Sequence, residues 1–303
     1  MSLWNKDVRP MLLGEVEEVF DSKDYLYEVK YDGIRVLVFV SKDKIVIKSR
    51  YGIDITGLFP EMSVLCKMVE CNVIFDGEII MLQNNKVSFS KLQKRIHLKN
   101  KKTIEFLSKT NPVVFMCFDV IYEDKDLINL SLLERKKLLS KYEDNEVFIK
   151  CTYVSGEGIK LFDAIKKLDM EGIIAKKIDS KYLVNERSNN WLKIKNYKVG
   201  EFLVIGYINK DNSYVISLVL GKKVKNKLIY VGKVSLGKKR RLAELIMKKT
   251  KVKAYMDVNS RDVIYIKPDV KCIVKYLEVT ENGLLRQPFV HEMSKISKNE
   301  EKN

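Results

Sequence analysis

The stretch Tyr25-Leu-Tyr-Glu-Val-Lys30-Tyr-Asp-Gly-Ile-Arg35-Val-Leu-Val-Phe-Val40 holds two β-rich runs on either side of a charged break that contains a glycine. Alternating and clustered apolar residues predict strands at Tyr25–Val29 and Ile34–Val40, with Gly33 supplying the turn. Lys30 therefore stands at the end of a strand. Working outward, Ser41-Lys-Asp-Lys44 reads as a hairpin into a third strand at 45–48, and further strands are expected at 73–81, 113–122, 172–176 and 191–194. Helical spacing recurs at 130–142, through Leu132, Leu133, Lys136 and Leu139, and again at 159–168. This part is α+β, built mainly on antiparallel strands.

After Asn196-Tyr-Lys-Val-Gly200 the pattern changes to short strands at 202–208, 214–220, 228–234, 263–266 and 273–279, with one helix near 239–249. Such a set fits a small closed barrel of the OB-fold kind. The expected domains are 1–197 and 198–293, followed at 294–303 by a disordered tail of mostly Lys, Ser, Glu and Asn.

The 303 residues exceed one usual domain, and 46% hydrophobic content is enough for a sizeable core. Lys and Arg number 56 against 40 Asp and Glu, a formal charge of +16 that favours polyanions: nucleic acid or an anionic membrane surface. No apolar run reaches the roughly 18 residues of a membrane span, and no basic-then-apolar leader precedes Trp4. A cytoplasmic, nucleoid-associated monomer is expected. Cys66, Cys71, Cys117, Cys151 and Cys272 are odd in number and form no C-x-x-C pair, which argues against a disulfide framework or a thiolate zinc site. His97 and His291 are the only histidines, too few for a His-based triad or metal centre.

Lys30 carries the sharpest chemistry. A lysine amine attacks phosphorus only when unprotonated, and nearby cations lower its pKa by disfavouring another positive charge. Arg35, Lys193 and Lys195 are the candidates for that role while also binding phosphates. Lys193 and Lys195 alternate with Leu192 and Ile194, so both point to one face of a strand. Glu171 precedes Gly172 and an apolar strand, an awkward place for a charge unless a cation neutralises it. Between 221 and 241 nine Lys or Arg occur without an acidic residue, among them Lys222, Lys223, Lys238, Arg240 and Arg241; interleaved Tyr230 favours nucleic-acid contact over a merely solvated face.

Six motifs then occur in a telling order: Lys30-Tyr-Asp-Gly-Ile-Arg35, Ser49-Arg-Tyr-Gly52, Phe75-Asp-Gly-Glu-Ile79, Phe115-Met-Cys-Phe-Asp-Val120, Glu171-Gly-Ile-Ile-Ala-Lys176 and Trp191-Leu-Lys-Ile-Lys195. In these the chain resembles the covalent nucleotidyltransferases, ATP-dependent DNA ligases and mRNA capping enzymes, and most of all the ligase domain of bacterial end-joining DNA ligase D. The resemblance implies an adenylation (nucleotidyltransferase) domain followed by an OB-fold domain, with ATP and Mg²⁺ as cofactors. It implies that Lys30 forms a phosphoramide with AMP and that Glu28 accepts from the adenine amine. It further implies Arg35 and Arg50 at the ribose and the 5′-phosphate of a break, Glu78 on the ribose hydroxyls, and Phe118 and Ile173 as walls of the base pocket. Glu171 is assigned to Mg²⁺, and Lys193 and Lys195 to the phosphates. Trp191 is expected to be a structural anchor.

Leu285-Arg286-Gln-Pro288-Phe289 resembles the first half of a C-terminal ligase element, and His291-Glu-Met-Ser-Lys295 does not supply the second, which leaves Arg286 a marginal DNA contact. The implied activity is sealing of nicks or ends in double-stranded DNA, in bacterial double-strand-break repair by non-homologous end joining with Ku as partner. RNA ligation or capping-type guanylylation is the second reading, and a non-catalytic DNA-binding module the third.

Overall fold

The computed structural model describes residues 2–209, 216–225, 227–237, 239–258, 260 and 262–295, with side chains up to 293. Gly33 marks a crossing between sheets: the strand before it, Tyr25–Val29, belongs to one five-stranded sheet, and the strand after it, Ile34–Val40, to another. A Cβ at Gly33 would stand 2.2 Å from the Ile79 carbonyl oxygen, so only glycine lets the chain pass there.

In spatial order the first sheet is Leu12–Glu15, Arg187–Lys195, Gly172–Lys177, Tyr25–Val29 and Tyr153–Ser155; the second is Ile45–Ser49, Ile34–Val40, Val73–Ile80, Val114–Glu123 and Phe148–Lys150. Pairing is antiparallel throughout except between Leu12–Glu15 and Arg187–Lys195, and between Val114–Glu123 and Phe148–Lys150. The hairpin at 41–44 closes through Ser41 N–H to the Lys44 carbonyl at 2.8 Å.

Strand alternation sorts the side chains. Leu26 packs with Leu37, Phe39, Ile74, Ile121 and Trp191 in a core drawn from both sheets, whereas its neighbour Tyr27 packs with Ile173, Ala175, Leu192 and Ile194 against Phe162 and Ile165 of helix Gly158–Lys167. On the far side of the second sheet Val36, Val38, Phe75 and Phe115 meet Met62 and Leu65 of the 3-10 helix Pro60–Met68. Each fully buried aliphatic or aromatic side chain in these layers contributes about 1.5–3 kcal/mol. The polar members of the period-two series, Glu28, Lys176 and Arg35, are thereby carried to the same side as Leu26 and Leu37, where hydration is poor and every charge needs a partner.

Helix Leu132–Leu139 starts at a capping box: Ser131 Oγ accepts from the Glu134 N–H at 3.3 Å and Glu134 Oε2 from the Ser131 N–H at 2.8 Å. This cap explains why the helix begins two residues later than the apolar spacing suggests. Two further helices, Phe89–Ile96 and Lys101–Thr110, were not read from the sequence. The result is a mixed α+β fold dominated by sheet.

The chain divides between Asn196 and Tyr197 into two compact units. In the second, antiparallel strands follow the order Lys227–Ser235, Ile216–Val224, Lys198–Asn209, Val270–Tyr276 and Phe289–Lys295, with the two-residue strand Ile264–Tyr265 beside Lys198–Asn209. The strand expected at 263–266 is thus a stub, and the last ladder is made by Phe289–Lys295. That strand runs through residues 294 and 295, where a disordered tail was expected; 296–303 lie outside the described residues. Helix Arg240–Met247 packs Ala243 and Ile246 into a core with Phe202, Leu218, Val274 and Val290.

Candidate active site

Lys30 sits where Tyr25–Val29 leaves its sheet, and its N–H donates to the Gly172 carbonyl at 2.9 Å. Gly172 has φ +150°, and a Cβ there would lie 2.1 Å from the Ile194 carbonyl oxygen, so glycine is required where three strands meet. The preceding residue, Glu171, reaches Lys30: its Oε1 is 2.8 Å from Nζ, with the carboxylate side chain only 7% exposed. The cation that the sequence demanded for Glu171 is therefore Lys30 itself.

Around Lys30 opens a cleft lined by Leu13, Glu28, Val29, Lys30, Tyr31, Arg35, Glu78, Phe118, Ile174, Lys176 and Trp191. Six of the sequence candidates border or reach it: Glu28, Lys30, Arg35, Glu78 and Phe118 as lining, and Glu171 through Lys30.

The others stand elsewhere. Ile173 is fully buried on the outer face of its strand; alternation gives its place on the cleft wall to Ile174. Lys193 and Lys195 do share a face, as both reach Glu15, at 3.0 and 3.7 Å, but neither lines the cleft. The expected ring of cations about the Lys30 amine is replaced by a carboxylate contact. Arg35 is bidentate to Asp76, Nε to Oδ1 at 3.0 Å and Nη2 to Oδ2 at 2.7 Å, and the Tyr182 hydroxyl donates to the same carboxylate at 2.6 Å. Its fork is thus spent on a buried carboxylate rather than open to a phosphate. Arg50 is exposed, its guanidinium 5.1 Å from the Tyr51 ring, while its N–H donates to the Arg35 carbonyl at 3.1 Å.

Glu28 is 2% exposed and lies on an interior strand. Lys176 Nζ is 2.7 Å from its Oε2, and Lys136, from helix Leu132–Leu139, meets its Oε1. Burial alone raises the carboxyl, and the two ammonium charges outweigh it, leaving Glu28 below the ordinary carboxylate value. Lys176 also lies 4.0 Å from the centroid of the Phe118 ring and 4.1 Å from that of Trp191. Glu78, in the middle of Val73–Ile80 rather than at a strand start, behaves oppositely. Burial, helped by the neighbouring carboxylates Glu171 and Asp76, pushes it up to about 8 against the downward pull of Lys30 and Arg35.

Sequence reasoning missed Lys136, Lys176, Asp76 and Tyr182. The signal for Lys136 was present: a lysine at the helical position shared by Leu132 and Leu139, on the buried face. For Lys176 it was a charge closing the apolar run that starts at Gly172, in phase with Ile174. Trp191 is fully buried and its Nε1–H donates to Ser180 Oγ at 3.2 Å, an anchor that also forms part of the cleft wall.

In the second unit Lys222 and Lys223 are exposed at the end of Ile216–Val224, and Arg241 is exposed on its helix. Arg240 pairs with Glu244 at 2.9 Å one helical turn away, and Arg286 with Glu278 at 3.1 Å. Lys238 lies outside the described residues.

Residues 10–195 match the family model described as the ATP dependent DNA ligase domain. Among relatives, the SPbeta prophage-derived DNA ligase-like protein LigB of Bacillus subtilis is 31% identical, over 93% of this chain and 97% of its own. The multifunctional non-homologous end joining protein LigD of Mycolicibacterium smegmatis is 29% identical over 93% of this chain, which spans only 38% of that longer protein. Among solved structures, the ligase domain of M. tuberculosis LigD superposes with a TM-score of 0.58 at 26% identity, covering 97% of this chain and 96% of that one. A mycobacterial DNA ligase D complexed with ATP and MES gives 0.59 at 25% identity over 99% of both. The chain belongs to the family of ATP-dependent DNA ligase domains and is a DNA ligase enzyme of that class.

Proposed function

We propose that this enzyme seals 5′-phosphate/3′-hydroxyl breaks in double-stranded DNA through a covalent lysyl-AMP on Lys30. The observation that carries this reading is the position of Lys30 at the junction of two sheets, on the wall of a cleft that also holds an aromatic ring and a buried carboxylate, Glu28, paired to two ammonium groups. In the first step Lys30 Nζ bonds to the α-phosphorus of ATP as the bond to pyrophosphate breaks. The amine must first give up a proton, and Glu171 Oε1 at 2.8 Å is an acceptor within reach. AMP then passes to the 5′-phosphate, and the 3′-hydroxyl displaces AMP to restore the phosphodiester. Glu28 would accept from the adenine amine, Phe118 would stack on the base, and Glu78 would meet the ribose.

Lys193 and Lys195 would reach the phosphates by exchanging Glu15 for them, and Arg35 would act mainly by holding Asp76 under the cleft floor. Glu171 and Glu78 are close enough for one to raise the other's pKa, a donor set suited to a hard divalent ion. Mg²⁺ held there with nucleotide oxygens would neutralise charge on the phosphates. Among the described residues no group of three or more His, Cys, Asp or Glu is assembled, and Mg²⁺ bound partly by phosphates does not need one.

The strand order of the second unit supports an OB-fold barrel: its two end strands, Lys227–Ser235 and Phe289–Lys295, approach within 8 Å at Cα. Lys222, Lys223 and Arg241 would track the DNA backbone, with Arg50 at the 5′-phosphate. The resemblance to LigD supports a setting in end joining with Ku, and the resemblance to a prophage-derived protein supports a role outside it; joining nicked and blunt duplexes with and without Ku separates the two. No helix among the described residues is long and apolar enough to cross a membrane.

The decisive test is incubation with α-labelled ATP and Mg²⁺. Wild type should retain label through a phosphoramide, and Lys30→Ala should lose both label and sealing, by at least about a thousandfold as for a deleted nucleophile. Sealing that survives Lys30→Ala sinks the proposal, and preferential labelling by GTP would favour capping-type chemistry.

A further inference from the structure

Lys136 is buried to 6% exposure on helix Leu132–Leu139, outside all six nucleotidyltransferase motifs, and its ammonium is in ion-pair contact with Glu28. A charged group this deep is costly unless it does something for its partner. Its surroundings define that partner. The Tyr153 ring centroid lies 5.5 Å from Nζ, and Cys151 and Asp119 act on it electrostatically. From the other side Lys176 holds Glu28 Oε2, while Tyr31 and Cys151 are neutral groups that feel the carboxylate. Two ammonium groups therefore grip one carboxylate, one per oxygen.

We infer that Lys136 is a specificity-determining positioning residue, which keeps the base-reading Glu28 an ionised acceptor and so makes the cleft select adenine over guanine. This rests on the reading of Glu28 as the group facing the base. The chemistry is a matter of donors and acceptors. The exocyclic amine of adenine donates, and an ionised carboxylate only accepts. Guanine presents a carbonyl oxygen at the same position, which an ionised Glu28 leaves unpaired and a protonated Glu28 satisfies. Burial pushes Glu28 toward the protonated form, and the lysines oppose it. Lys176 alone is poorly placed to do so, because burial lowers its own pKa and it meets only one of the two Glu28 oxygens. Without Lys136, one oxygen of Glu28 loses its cation, and the carboxyl takes up a proton as pH falls.

The test compares ATP and GTP as label donors to Lys30, by kcat/KM, from about pH 6 to about pH 8.5, bracketing the range in which a buried carboxyl retitrates. Wild type should favour ATP by a ratio that changes little with pH. Lys136→Met should lower that ratio by at least about tenfold at the acid end, the size of one misplaced buried hydrogen bond, and recover it as pH rises. Lys136→Arg should restore the wild-type ratio, and Glu28→Gln, a permanent imitation of the protonated carboxyl, should show the low ratio at every pH. A wild-type ratio in Lys136→Met, a pH-independent change, or a change matched by Lys136→Arg overturns the inference. If Lys136→Met does not fold, Glu28→Gln decides alone: an unaltered ratio overturns it. No label on wild type from either nucleotide would remove the covalent reading itself, and this inference with it.

Discussion

The sheet junction of the first unit and the edge at 222–227 of the second handle positive charge in opposite ways. In Met1–Asn196 the cations at the sheet junction are buried or half-buried and matched to carboxylates: Lys30 to Glu171, Arg35 to Asp76, Lys136 and Lys176 to Glu28, Arg135 to Asp119. In the second unit Lys222, Lys223, Lys225, Lys227 and Arg241 are exposed to solvent. Buried ions interact strongly at short range and are little affected by salt, whereas exposed ones act over a Debye length of roughly 8–10 Å and are screened. The contrast teaches that the proposed chemistry and the proposed grip on a polyanion rest on separate sets of charges, and that each should fail in its own way when disturbed.

The largest effect should come from breaking a matched pair. Arg135 and Asp119 are both fully buried; Arg135 Nε and Nη2 each donate to the carboxylate at 2.9 Å, and Nη1 donates to the Leu130 and Ser180 carbonyls at 2.6 and 3.1 Å. Arg135→Met leaves Asp119 buried and charged, and should destabilise the first unit by about 3–5 kcal/mol. Denaturant unfolding measures it. A loss below about 1 kcal/mol would mean the pair is no more than a surface bridge in value, and the contrast between the units would weaken.

Next in size is the exposed set. Replacing Lys222 and Lys223 together by Ala should leave unfolding almost unchanged and the rate of Lys30 labelling intact. It should reduce the dependence of log K for duplex binding on log salt by about 0.9 per lost phosphate contact, roughly a tenfold weaker complex at low salt. Titration at several salt concentrations reads both. An unchanged slope would make this face solvated charge only, the bland alternative.

How far these properties could be read from residues alone follows the same division. Period-two alternation made the strands at 25–29, 34–40 and 172–176 legible because one face of each is continuously apolar, and it rightly paired Lys193 with Lys195. What alternation cannot give is phase against a partner sheet. Ile173 was therefore exchanged with Ile174, one residue along the same strand and on the opposite face. Nor can it give partners distant in sequence. Asp76 and Tyr182 lie 41 and 106–147 positions from the groups they meet or share, and nothing local marks that partnership. Lys136 was visible as a charge on an apolar helical face, but its meaning depends on Glu28 across the fold. In the second unit Gly, Lys and short apolar runs mark strands poorly, so the Phe289–Lys295 ladder was missed and 263–266 overvalued.

The smallest effect comes from Glu78, a cleft carboxylate for which burial outweighs the cations nearby. Burial raises Glu78 to about 8 despite Lys30 and Arg35, because Glu171 and Asp76 add two more negative charges nearby. Its folded pKa thus lies above that of the unfolded chain, so the native state binds the extra proton. The stability this provides is complete below about pH 4.5, the range where the unfolded carboxyl is also protonated, and is lost progressively as pH rises toward about 8. Glu78→Gln cannot ionise and escapes that loss. It should melt with wild type near pH 5 and above it near pH 9, by about 2–4 °C once solvent screening of a half-buried group is allowed for. A difference independent of pH would mean that Glu78 is already ionised in the free enzyme, matched like the other charges of its unit. A divalent ion in the cleft should have the same consequence, drawing the proton off Glu78 and flattening the pH dependence of wild type.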